Sequence, residues 1–163
     1  MSNDKKTYLI YEGSFLTPDP AYDQSINILR FRDPDEKEYS ILVNRAFMTA
    51  GQTLEEFGKA QMNFLENTLP GYHNEGEMLK NTLGPAKLPV IQIANRFYQG
   101  GHLVKQVQSF VALPYHPVIN PARVNLIIFT LAVQDEFNEF QRKHYVQVIN
   151  SFNPETLPAD EKM

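Results

Sequence analysis

The chain has 163 residues, 42% of them hydrophobic and 21% charged, and a formal net charge of −4. That length and composition fit one domain able to bury its own core and exclude wholesale disorder. The balance lacks the basic footprint of a general nucleic-acid binder, and the absence of cysteine excludes disulfides and thiolate metal sites.

The N-terminal MSNDKKTYLIYEGSF holds only a short apolar run before Glu12. It lacks the ~7–15 apolar residues and small-residue cleavage site of a secretory signal, so a cytoplasmic location is expected. Tyr8 to Phe15 alternates loosely and leads into the turn-rich LTPDP. The next segment, DQSINILRFRD from Asp23 to Asp33, reads as a strand with apolar residues on both faces. Ile26 and Ile28 share one face with Gln24 and Arg30, while Leu29 and Phe31 share the other with Ser25 and Asn27. The charged turn DPDEKE joins it to a second strand, Tyr39 to Phe47. Asp33, Asp35 and Glu36 in that turn lack the glycine and terminal glutamate of a calcium loop, and a solvated turn is expected.

At Thr53 the period changes from two to 3.6. Thr53 and Glu56 form a T-x-x-E capping box, and the helix is expected to run to about Leu69, before Pro70-Gly71. Gln61 falls inside its apolar stripe. EGEMLKNTLG reads as a further strand, and LPVIQIANRFY and HLVKQVQSFVAL flank Gly100-Gly101 as a hairpin. After the proline-punctuated PYHPVINPAR, the run VNLIIFTLAV is apolar on both faces and reads as a strand covered on both sides. It is far short of the ~20 residues that span a bilayer. A final helix is expected from about Asp135 to Phe152, ended by Asn153-Pro154. The fold class is therefore α+β: a mainly antiparallel curved sheet with helices packed on one face. Residues 1–152 are expected to form a single domain, with 153–163 as a flexible tail.

No catalytic constellation emerges. His73, His102, His116 and His144 share no ligand spacing; His144 sits on the apolar stripe of the last helix, and His102 lies at a solvated hairpin turn. Gly100-Gly101 lacks the context of a phosphate loop. No enzyme, metal or cofactor is expected. The unusual feature is amides and hydroxyls set among apolar residues: Gln61 in a helix stripe, Gln106 and Gln108 beside Val104 and Phe110, Ser40 beside Leu42, Gln24 beside Ile26 and Ile28. Internal pairing or plain exposure would account for each. A groove that holds an apolar guest and hydrogen-bonds its few polar groups would account for all of them.

DQSINI after PDPAY, then YSILVNR, Gln61 followed by NTLPGY, and KQV at Lys105 to Val107 keep an order and spacing that resemble the Eag chaperones. These are small cytoplasmic proteins associated with type VI secretion effectors of the Rhs and PAAR class. The resemblance runs from about Tyr8 to Phe152; DPDEKE and the tail depart from it. It implies a PsbP-like sandwich and a homodimer. It further implies a groove that shields an effector's N-terminal transmembrane helices before export, through Ile26, Ile28, Ser40, Gln61 and Gln106. No nucleic acid and no stable membrane association are implied. The other readings are a PsbP-like module for a folded partner or small ligand, and an immunity protein binding through a charged surface.

Overall fold

The computed structural model describes residues 5–21 and 23–155. The first apolar segment forms not one strand but a hairpin of β1 (Lys6–Ile10) and β2 (Gly13–Thr17), standing apart from the main sheet. Tyr8 stacks on its cross-strand neighbour Phe15, and its hydroxyl reaches Asp23 and Ser25 beyond the hairpin.

The main sheet is antiparallel, curved and open. Its strands are β3 (Ile26–Arg32), β4 (Glu38–Phe47), the two-residue β5 (His73–Asn74), β6 (Leu79–Leu83), β7 (Leu88–Gln99), β8 (His102–Ala112) and β9 (Asn125–Gln134). They lie in the order β3-β4-β9-β8-β7, with β5 and β6 both on the outer edge of β7. VNLIIFTLAV becomes β9 at the centre, and Gly100-Gly101 turns β7 into β8 as expected.

Two helices complete the class expected from the sequence: α1 (Leu54–Thr68) and α2 (Glu139–Asn150). They do not share a face. Strand neighbours point to opposite sides, and each helix meets a different parity of the same strands. Tyr145 and Ile149 of α2 pack with Ile41, Val90, Val111, Phe129 and Leu131. Leu54 and Phe57 of α1 pack with Ile91, Ile93, Phe110 and Ile128. The expectation of helices on one face is corrected accordingly.

The α2 side is the larger core and is pinned by polar contacts. Ser109 and Tyr145 hydroxyls lie 2.6 Å apart, Gln92 donates to Ser109, and Tyr145 donates to the Phe129 carbonyl. Burial pushes the Tyr145 phenol well above its ordinary range, so it remains a donor. Asp33, expected in a solvated turn, is 3% exposed. Its carboxylate accepts from the Asp35 and Lys37 amides and from Asn138 and Gln141 at the start of α2. Desolvation pulls its pKa upward, but the donors from Lys37, Asn138 and Asp35 outweigh it and hold the carboxyl below the usual range. The helix itself begins later than expected, at Asn138, which forms a reciprocal capping box with Gln141. Phe152 packs on Phe129 and Pro154 is buried, so packing continues into the expected tail; residues 156–163 of that tail lie outside the described residues.

Candidate functional site: the half-covered sheet face

The register places the side chains of the α1 side in rows across the strands. Arg30, Ser40, Ala132, Gln106 and Asn95 form one row. Ile28, Leu42, Thr130, Gln108 and Ile93 form the next, and Ile26, Asn44, Ile128, Phe110 and Ile91 the third. The last two rows contain no ionisable side chain. Four of the five residues expected in a groove (Ile26, Ile28, Ser40 and Gln106) thus lie on one face, and α1, which carries Gln61, packs on that same face.

The helix covers only part of it. Thr53 and Glu56 close the expected capping box at the start of α1, and the helix body rests on β7 and β8. Gly58 is buried with Met78 and Ile91 where a Cβ would point. That brings the helix close to the β7 edge and, by helical spacing, turns Phe57, Gln61 and Phe64 toward the sheet centre. Phe57 meets Phe110 edge-on at 5.7 Å. Phe64, two turns along the same flank, stays 61% exposed.

Over β4 and β3 the face is therefore open, while Ile128 and Thr130 of β9 are buried beside it. Ile26 and Ile28 are 53% and 57% exposed, while Leu42, Ser40 and Ala132 are half-buried. Where α1 meets the open part, Gln106 and Gln108 are buried to 9% exposure and Gln61 is half-buried. Sequence reasoning left Asn44 unnamed, although it follows Ser40 and Leu42 at the same parity. It sits between Ile26 and Ile128 on the open floor.

Among the described residues no cluster of His, Cys, Asp or Glu could hold a metal ion. His144 is packed edge-on against Phe31, with Nδ1 2.8 Å from the Tyr39 hydroxyl, on the α2 side. His116 accepts from the Val118 and Ile119 amides and shapes its own loop. At the end of the sheet near Asn125, a cleft of about 840 Å³ is lined by Ala46, Phe47, Leu113, Ile119 and Leu126, with Asp23 and Arg45 at its rim. No helix among the described residues is long and apolar enough to cross a membrane.

Two solved structures share this fold. PA94 from Pseudomonas aeruginosa, described as a protein of unknown function and a candidate regulator, matches at 17% identity with a TM-score of 0.70. The match covers 94% of this chain and 99% of that one. LpqN from Mycobacterium tuberculosis, described as involved in cell envelope biogenesis, matches at 16% identity with a TM-score of 0.52, over 91% of this chain and 76% of that one. No curated protein matches. The family model that matches is DcrB, over residues 12–151, and it spans all the motifs from which the Eag resemblance was drawn. That resemblance is corrected by this match, and the secretion system and effector class named through it are not carried further. The motifs are short pieces of β3, β4, α1 and β8 whose alternation follows from a half-covered sheet, so they report position in the fold before they report a partner. With residues 12–151 matched, the chain belongs to the DcrB family.

Proposed function

We propose that the chain is a non-catalytic binding protein that holds an apolar helical segment of a partner protein on the open half of the α1 face. The observation that carries this is the exposure of Ile26 and Ile28, in register with half-buried Leu42, on a floor free of charge in its two apolar rows. The opening runs from buried β9 to the outer strand β3, and at ~4.8 Å per strand those two axes stand about 10 Å apart. That is the width of one helix with its side chains, about 10–12 Å. Phe64 and Gln61 on α1 provide a wall, and Ser40 and Gln106 provide polar points along one row. Burial of the guest supplies the drive, at about 25 cal/mol per Å² less the cost of ordering. A second copy of the chain is the proposed cover for the β1–β2 hairpin, which exposes Leu9 and Leu16 on one face and Ile10 and Phe15 on the other.

The test uses a labelled Leu/Ala helix of about 20 residues, long enough to span a bilayer and insoluble alone. The chain is expected to keep it in the supernatant after ultracentrifugation, and Ile26→Glu and Ile28→Glu are expected to weaken that effect. A peptide that sediments regardless of the protein refutes the reading. The cleft lined by Ala46, Phe47 and Leu126 supports a second reading, a small apolar ligand at the sheet's end. Saturable binding of a small apolar dye, abolished by Ala46→Trp but not by Ile28→Glu, would favour it.

A further inference from the structure

The open face contains polar atoms that the fold leaves unsatisfied. The side-chain oxygens of Asn44 and Gln108 are buried and accept no hydrogen bond from any described residue. Gln108 is 9% exposed, and its Nε2 is directed at the Thr130 hydroxyl at 3.4 Å, so its oxygen is the unmatched end. Asn44 stands beside exposed Ile26 and shares its strand face with Leu42. Asn95 is also unmatched, but it is 1% exposed and lies on β7, one strand farther than Gln108 from the open β3 and β4. An unmet buried acceptor is a standing cost that an apolar residue of similar size would not carry.

Both unmatched atoms on the floor are acceptors, so the complementary feature of an occupant is a donor. An apolar helix uses its backbone N–H groups internally except in its first turn. Along its length the donors that fit among apolar side chains are the hydroxyls of Ser and Thr. The terminal torsions of Asn and Gln are broad, so each amide can turn toward such a hydroxyl without strand movement. We propose that Asn44 and Gln108 are specificity-determining residues that select, among apolar helices, those presenting a Ser or Thr hydroxyl to the sheet. This rests on the reading of the face as a helix site and names which helices it prefers.

The probes are fluorescent Leu/Ala helices differing only in one Ala→Ser exchange, moved residue by residue through two helical turns. Binding to the full chain is read by anisotropy. At one or two positions the Ser peptide is expected to bind about five- to tenfold tighter than the all-Ala peptide. The Asn44→Leu/Gln108→Leu variant is expected to bind the Ser and all-Ala peptides alike and to melt no lower than the wild type. Equal binding of all peptides by the wild-type chain overturns the proposal and leaves the helix site standing, and this comparison needs no variant to fold. A preference that survives in the double variant also overturns it. If no peptide binds the wild-type chain, the helix site falls and the selectivity with it.

Discussion

Ile28 and Leu29 are neighbours on β3 with similar exposure, 57% and 47%, and they point to opposite sides of the sheet. Ile28 faces the open floor, and Leu29 shares its face with Phe31, on the α2 side. Complete burial of an isoleucine is worth up to about 3 kcal/mol, so slightly more than half, about 1.7 kcal/mol, is left for an occupant to gain at Ile28. Ile28→Ala should therefore weaken binding of the Leu/Ala peptide about tenfold. Ile28→Glu should weaken it by about two orders of magnitude, since a carboxylate must also be desolvated or moved aside. Leu29→Glu adds the same charge one residue away and should leave affinity within about twofold. Urea unfolding should place both Glu variants within about 1 kcal/mol of the wild type, as expected at exposed edge-strand positions. Equal loss of binding in both variants would mean that general stickiness of the edge, not the open face, holds the peptide. Full binding by Ile28→Glu would refute the site outright.

Asp33 has a folded-state pKa below its unfolded value. Its contribution to stability is thus complete above the unfolded pKa of about 3.9 and is lost as pH falls through the lower folded value. Thermal unfolding followed from about pH 6 to pH 2 should show this acid loss in the wild type and a flatter profile in Asp33→Asn, which cannot titrate. Tyr145→Phe removes the donor to the Phe129 carbonyl and the partner of Ser109. It should cost about 1–3 kcal/mol, or roughly 2–10 °C in melting temperature, without changing peptide affinity. Leu9→Asp with Leu16→Lys places charges on one face of the β1–β2 hairpin. If a second copy covers that hairpin, light scattering should show a dimer for the wild type and a monomer for the variant, and a wild-type monomer refutes the assignment.

What the sequence disclosed followed from local rules. The T-x-x-E box, the Gly100-Gly101 hairpin and the doubly apolar β9 are each determined within a dozen residues, and each formed as read. The common side of Ile26, Ile28, Ser40 and Gln106 is set by a period of two together with strand register, so alternation was enough to suggest it. The hairpin was hidden for the opposite reason: with both faces exposed, β1 and β2 show no clean alternation. Asp33 looked solvated because its partners, Asn138 and Gln141, lie more than a hundred residues away in the chain. The N-x-x-Q box that starts α2 was present in the sequence and was passed over in favour of a longer periodic stripe.

The side on which each helix packs was the part no local pattern could supply, and it decides how the polar residues are to be read. Gln92 and Gln108 occupy adjacent long strands, each follows an apolar residue (Ile91 and Val107), and they look alike in sequence. Gln92 points to the α2 side, where Ser109 and Tyr145 complete its network, so that side is closed in chemistry as well as in packing. Gln108 points to the α1 side, where its oxygen has no partner among the described residues and α1 rests on β7 and β8 but leaves Ile26 and Ile28 of β3 exposed. Gly58 contributes to that offset, because an added Cβ would lie 3.1 Å from Met78 Cε and 3.2 Å from Ile91 Cγ2 and press both side chains aside. The amides assigned to the proposed binding surface are thus distinguished from structural ones by where one 15-residue helix comes to rest.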